Sequence, residues 1–332
     1  MAPPDVCRWE VANDRKGIKM TTPTTSNSRA LRFFAIGVLV ALAAALIAAA
    51  DSYASGKVDG VRAAVKHGTL NVTGSDGGQQ VALRLNGAGN QIQVDAGDDR
   101  SADFSFDRSD VDAIKVKLGD GNDLARIDDS NGSFTGGARP TTISGGGGND
   151  TLLGAQNPPA APADNNNQVE TYKGGDGNDI VDGGRGNDIA YLGSGNDTFQ
   201  WDPGEGNDTI EGQEGSDTML FNGAGVPEQV TLSDNGGRLK FDRAPGAVTM
   251  DTNDVEIVDF NALGGADNVT VEDLTGTDVT RVNVDLASTL GGNAPDGAVD
   301  TVTNATDCDD TIVSVAHADA TDHLNGPIQL IN

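Results

Sequence analysis

Basic residues are scarce in this 332-residue chain: 22 lysines and arginines stand against 50 aspartates and glutamates, a net charge of −28. That balance argues against binding nucleic acid or an anionic membrane, both of which require basic patches. Aromatic residues make up 4 % of the sequence. With so few cations as well, a substrate groove for an acidic polysaccharide, such as a β-helix lyase or epimerase needs, is not expected. Cysteine is confined to Cys7 and Cys308, and only Cys308 lies after the N-terminal apolar run, so no intramolecular disulfide is available to the mature chain. Histidine occurs three times, as His67, His317 and His323; the last two are six apart, without the i, i+4 spacing of a helix-borne zinc pair. No G-x-S-x-G elbow, P-loop lysine or EF-hand loop is present. Carboxylate pairs such as Asp98/Asp99 and Asp128/Asp129 are so common that they read as solvated loop residues, not acid/base pairs. No catalytic residue is therefore assigned, and the chain is not expected to be an enzyme.

Residues 33–50 (FFAIGVLVALAAALIAAA) form the one long apolar run, preceded by Arg29 and Arg32 and followed by Asp51. A basic flank followed by an apolar segment is the order of a secretory signal, with small-residue cleavage options after Ala50 or Ala54. Eighteen residues also reach the shortest membrane-spanning length; cleavage is the expectation, because no basic stop-transfer flank follows. In either case the remainder is carried out of the cytoplasm. The 28 residues before Arg29 are long for such a flank, and a start at Met20 would give an ordinary one. Beyond Ala50 the chain holds sixteen basic against 47 acidic residues.

Glycine, in contrast, is abundant and ordered. Six nine-residue units occupy 145–153, 174–182, 183–191, 192–200, 203–211 and 212–220. Position four is always glycine: Gly148, Gly177, Gly186, Gly195, Gly206 and Gly215. Position six is always aspartate: Asp150, Asp179, Asp188, Asp197, Asp208 and Asp217. Position eight is always apolar: Leu152, Val181, Ala190, Phe199, Ile210 and Met219. A disordered Gly/Asp-rich linker would not hold that phase. Glycines let a short loop curl with its carbonyls on one side, and the aspartate adds a carboxylate. Calcium takes about 6–8 oxygen ligands, more than one loop supplies, so successive loops on one edge must share each ion. The x-U-x triplet is a short strand with one inward side chain. Two units make one coil, which stacks loops 18 residues apart; Trp201 and Asp202 are inserted and stretch one interval to 20. A cryptic unit at 165–173 puts Glu170 at position six and Tyr172 at position eight, leaving 154–164 as a Pro/Ala excursion.

This pattern, G-G-x-G-x-D-x-U-x, resembles the RTX (repeats-in-toxin) calcium-binding β-roll. The resemblance implies an all-β parallel β-roll or β-helix with calcium ions between coils. It implies as ligands the aspartates Asp150, Asp179, Asp188, Asp197, Asp208 and Asp217. It further implies the loop backbones of Gly174, Gly175, Asp176, Gly177 and Asn178, of Gly183, Gly184, Arg185, Gly186 and Asn187, and of Gly193 and Gly195. Leu192 and Pro203 replace the first glycine, Gln213 the second, and Ser216 the usual Asn/Asp at position five, so the last loop is the weakest match.

Upstream, residues 118–127 repeat the loop once and make Asp123 a ligand candidate. Residues 81–85, 91–95, 103–107 and 113–118 alternate as half-buried strands do. Downstream, 263–271 and 306–313 are eroded units, with strands at 281–286 and 301–303 between them. The stretch 261–286 is similar to segments of secreted bacterial RTX-like calcium-binding proteins. Asp267 and Asp310 are read as solvated loop residues, their loops being read without the position-four glycine. The resulting organisation is an N-terminal extension and signal at 1–50, degenerate solenoid at 51–144, the calcium roll at 145–222, degenerate solenoid at 223–315, and a tail at 316–332 outside the register. The expected function is calcium binding by a secreted chain that is unfolded without calcium and folds on meeting it, calcium ions being its expected partners. The alternative readings are a surface adhesin or matrix component, with an unidentified cell-surface ligand, and a β-helix polysaccharide lyase or epimerase using calcium structurally.

Overall fold

The computed structural model describes residues 57–135, 139–156, 169–305 and 311–331. The apolar run at 33–50, residues 157–164 of the Pro/Ala excursion and Asp310 lie outside them; Gly154 and Ala155, read as the start of that excursion, belong instead to a strand. Among the described residues no helix is long and apolar enough to cross a membrane. Before the repeat block the strands are Arg62–Lys66 (β1), Thr69–Thr73 (β2), Gln80–Leu85 (β3), Gln91–Ala96 (β4), Phe104–Asp107 (β5), Ala113–Asp120 (β6) and Leu124–Asp128 (β7). The block itself forms Thr141–Gly147 (β8), Thr151–Ala155 (β9), Glu170–Asp176 (β10), Ile180–Gly184 (β11), Ile189–Gly195 (β12), Thr198–Trp201 (β13), Thr209–Gly215 (β14) and Thr218–Asn222 (β15). After it come Gln229–Asp234 (β16), Leu239–Ala244 (β17), Val248–Asn253 (β18), Ile257–Asn261 (β19) and Asn268–Val271 (β20). The last are Arg281–Asp285 (β21), Thr301–Asn304 (β22), Ile312–Ala316 (β23), His323–Asn325 (β24) and Ile328–Ile331 (β25).

Outside the segments β1–β2, β3–β5 and β16–β18, successive strands alternate between two sheets. One has thirteen strands in the order β1-β2-β6-β8-β10-β12-β14-β18-β17-β16-β20-β22-β24, and the other twelve, β25-β23-β21-β19-β15-β13-β11-β9-β7-β3-β4-β5. Within the repeat block every pairing is parallel, and position eight sets the register. Leu152 lies beside Val181, Val181 beside Phe199, and Phe199 beside Met219 in one sheet; Tyr172, Ala190 and Ile210 align in the other. All seven are fully buried. Period-two alternation sends these side chains inward, where both sheets contribute to one continuous core.

Three features differ from what the repeat pattern predicts. The strands β1–β2, β3–β4–β5 and β16–β17–β18 pair antiparallel. Their short turns leave no room for the crossover that a parallel pair needs. The core is also thicker than one side chain per strand. Trp201 stacks on Phe221 at a centroid distance of 4.1 Å, and Phe241 and Phe260 complete the cluster, which adds aromatic geometry to the area it removes from water. Finally, residues 316–331 do not leave the register. The strand β24 pairs in parallel with β22, and β25 with β23, adding one more coil.

Candidate metal centre

The connections run along two edges of the solenoid. On the first edge, each loop leaves a strand of the thirteen-stranded sheet and enters the other. There the carboxylates form a ladder in which a backbone N–H donates to the position-six carboxylate of the next loop. Asp123 N–H donates to Asp150 Oδ1 at 2.8 Å, Asp150 to Asp179 at 2.7 Å, Asp179 to Asp197 at 2.7 Å, and Asp197 to Asp217 at 2.9 Å. Gln79 N–H donates to Asp123 at the start, and Asp217 N–H to Glu256 at the end. A parallel ladder joins position five: Asn149 N–H donates to Asn122, Asn178 to Asn149, Asn196 to Asn178 and Ser216 to Asn196. Serine thus completes the ladder as a backbone donor, so its departure from Asn/Asp costs nothing there.

Each rung uses one oxygen and strands the other. Oδ2 of Asp123, Asp150, Asp179, Asp188, Asp197, Asp208 and Asp217 is buried with no hydrogen-bond partner. A buried carboxylate oxygen lacking any donor is costly, and a whole row of them is a statement about what belongs there. Desolvation pushes the carboxyls up, Asp150 and Asp217 to about 6 and Asp179 and Asp208 to about 7. Asp188 rises for the same reason, with Glu170 and Asp208 adding their repulsion.

Position one shows what the stranded oxygen faces. A Cβ on Gly174 would stand 2.3 Å from Asp179 Oδ2 and 2.2 Å from the Leu192 carbonyl oxygen. On Gly212 it would meet Asp217 Oδ2 at 2.6 Å and the Asp254 carbonyl at 1.6 Å. The glycine therefore keeps open a cradle that a carboxylate oxygen and a carbonyl of the following loop both face. Every donor is a hard oxygen, the ligand type that suits calcium and not softer transition metals. Position two requires left-handed backbone: φ is +127° at Gly175 and +121° at Gly193, and Gln213 is held at +79° in the corresponding place. The remaining expected residues sit in these loops. Gly177, Gly186 and Gly195 have positive φ, and Asp176 accepts a hydrogen bond from Ser194 Oγ. On the other edge Gly183 approaches Asp188 Oδ2, Gly184 pairs with Ala155, Arg185 N–H donates to the Ala155 carbonyl, and Asn187 accepts from Asn207 N–H.

That second edge carries two shorter ladders. Glu170 N–H donates to Asp188 and Asp188 N–H to Asp208, both at 2.7 Å, with Glu170 at the position-six place and buried, as the cryptic unit requires. Further along, Glu228 N–H donates to Asp267, Asp267 to Asp300 and Asp300 to Asp322. Asp267 is not a solvated loop residue: it is buried, its Oδ2 is unpartnered, and desolvation lifts it to about 7. Gly265, with φ +125°, stands two residues before it and is the position-four glycine of that loop. Counting back from the carboxylate, not forward from Leu263, reveals it. Glu228 differs from the others because Arg243 pairs with its Oε1.

One acidic cluster lies outside the ladders. Oxygens of Asp182, Asp202 and Glu205 fall within 4.8 Å of one another, brought together by the two-residue insertion that also sends Trp201 into the core. These groups are satisfied within the fold: Asp182 accepts from Gln156 and Gly184 N–H, Asp202 from Gln200 and Asn222, and Glu205 from Asp202 N–H. Desolvation and then Asp182 raise the Glu205 carboxyl.

Compared with known proteins, the chain matches the family model of the RTX calcium-binding nonapeptide repeat in four copies, over residues 129–156, 165–199 and 204–223. No curated protein and no solved structure matches it.

Proposed function

Starting from a chain that carries RTX calcium-binding nonapeptide repeats, we propose a secreted protein whose β-roll folds when it meets calcium outside the cell. The observation that carries this reading is the row of buried, unpartnered Oδ2 atoms on the position-six aspartates. Without a cation these carboxylates crowd the two loop edges of a chain already at −28, and self-repulsion opposes the compact state. Calcium supplies two positive charges per site and joins consecutive coils. Asp150, Asp179, Asp197 and Asp217 hold it on the first edge together with loop carbonyls such as that of Leu192, and Asp188 and Asp208 hold it on the second. Asp123 extends the first set. Because the unfolded chain offers no preformed site, binding free energy becomes folding free energy. Extracellular calcium modules work at roughly 10⁻⁴–10⁻³ M, which lets the chain stay unfolded during export and fold afterwards. The order of basic flank and apolar run at 29–50 supports export. On this reading the role of the ion is structural.

Far-UV circular dichroism and Trp201 emission of residues 51–332, titrated with calcium or magnesium after chelation, test this. A cooperative coil-to-β transition with calcium below about 1 mM, blue-shifting Trp201 and absent with magnesium, is expected. A chain fully β-structured in chelator and indifferent to calcium would overturn it.

A further inference from the structure

Part of the chain's few cations is gathered on one face. One register row crosses six neighbouring strands of the thirteen-stranded sheet, on its outward face: Arg62, Thr73, Lys117, Ser144, Lys173 and Tyr191. Cation and hydroxyl alternate strand by strand as far as Tyr191, whose ring is 38 % exposed; the register then continues to Glu211, which Arg238 neutralises. Strands lie about 4.8 Å apart, so successive cations stand about 9.6 Å apart along the solenoid. The adjacent row adds Asn71, Lys115, Thr142 and Thr171. Between Arg62 and Tyr191 the exposed strand positions hold no carboxylate until the loop edge, where Asp120 and Asp176 stand.

Several cations on other faces are paired with carboxylates, while Arg108 and Arg139 bond backbone carbonyls. Arg84 bonds to Asp95, Arg126 to Asp98, Arg238 to Glu211 and Asp251, Lys240 to Asp242, and Arg243 to Glu228. Arg62, Lys115, Lys117 and Lys173 have no ion pair; Lys173 instead lies 5.6 Å from the centroid of the Tyr191 ring. Open grooves run over both ends of the row, one along Arg62, Lys66 and Lys115, the other along Ser144, Lys173 and Tyr191.

We propose that this row binds a linear acidic polysaccharide, its carboxylates on Arg62, Lys117 and Lys173 and one sugar ring against Tyr191. Charge complementarity selects an anion, and the spacing selects which kind. Duplex nucleic acid presents one charge per 1.7 Å of axis, far denser than cations about 9.6 Å apart, and the row has one aromatic where base stacking needs several. A glycan with sparse carboxylates and many hydroxyls matches the alternation of ammonium and hydroxyl groups. The sequence reading that basic residues are too few for such a face overlooked that β-register collects them.

The test uses the full calcium-loaded chain and isothermal titration with a galacturonate hexamer, a neutral cellohexaose and a thymidine hexanucleotide at low salt. Binding of the galacturonate hexamer alone is expected. The K117Q/K173Q double variant loses it at least about tenfold, Y191A loses it severalfold, and K240Q leaves it unchanged. Circular dichroism in calcium establishes that each variant retains the fold, which these exposed positions permit. No binding of the galacturonate hexamer at millimolar concentration would overturn the inference. So would unchanged affinity in the double variant, or equal affinity for the hexanucleotide.

Discussion

The backbone N–H of Asp179 donates to Oδ1 of Asp197, eighteen residues later, at 2.7 Å, and Oδ2 of both carboxylates is buried without a partner. One oxygen of each aspartate thus builds the coil, and the other is the one proposed to hold a cation. This division of labour separates two contributions that substitution can take apart.

Asp179→Asn keeps an amide oxygen to accept the Asp150 N–H and removes the charge that faces the cradle. The coil is expected to form at saturating calcium, with the midpoint of the calcium titration raised about tenfold, equivalent to about 1.4 kcal/mol. Asp110→Asn, at an exposed position outside any ladder, should leave the midpoint in place. Equal midpoints for the two variants would remove Asp179 from the ligand set.

The pH dependence has opposite signs with and without calcium. Burial raises Asp150 and Asp217 to about 6 and Asp179 and Asp208 to about 7, from an ordinary 3.8. Without metal, the folded state therefore binds more protons than the unfolded one. Its stability is greatest below pH 4 and falls as pH rises through 6 to 7. A calcium-free chain should hold more β structure by circular dichroism at pH 4.5 than at pH 8. Calcium competes with those protons, so its midpoint should drop between pH 5 and 7.5. A calcium-free chain with no gain of structure on acidification would contradict the burial of these groups.

Much of this was legible in the sequence because the repeat ties each requirement to a residue type. Position eight needs one apolar side chain, and all six named residues are buried. Asp123 and Glu170 were recognisable by phase alone. The hairpins were harder, since alternation looks the same whether a strand pairs parallel or antiparallel. The signal was nevertheless present: residues 235–238 join β16 to β17, Asn235 N–H donates to the Arg238 carbonyl, and Gly236-Gly237, both at positive φ, form the kind of two-residue turn that glycine pairs favour. The aromatic cluster of Trp201, Phe221, Phe241 and Phe260 draws on four strands, and nothing local announces which coils will stack. The cationic row was illegible for the same reason, because Arg62 and Lys173 are brought into line only by the pairing of intervening strands.

Gln213 replaces the position-two glycine yet keeps its left-handed backbone, with φ +79°. A non-glycine residue in that region carries strain of about 1 kcal/mol or more. Because glycine loses more freedom on folding, Gln213→Gly should recover only part of it. The expected result is a gain of about 0.5–1 kcal/mol, read as a higher thermal midpoint in saturating calcium. A lower midpoint would mean that the Gln213 side chain stabilises the loop more than its backbone strains it.

The carboxylate ladder does not stop where the recognised repeats stop. Asp267 lies beyond residue 223, the end of the family match, but has the same attributes as Asp179: burial, an accepted backbone N–H, an unpartnered Oδ2 and a carboxyl raised to about 7. Neighbouring Asp296 accepts the Gly265 N–H and adds charge to the loop. Arg243 already neutralises Glu228 on the preceding rung, so the need for a cation begins at Asp267. Asp267→Asn should therefore reduce the calcium bound per chain at saturation, measured by equilibrium dialysis, while a control such as Asp110→Asn does not. In chelator the same substitution should raise stability at pH 8, because it removes a buried charge that nothing balances. Should calcium stoichiometry stay fixed while stability in chelator rises, Asp267 would be a buried carboxylate that folds protonated, and calcium binding would end with the repeats.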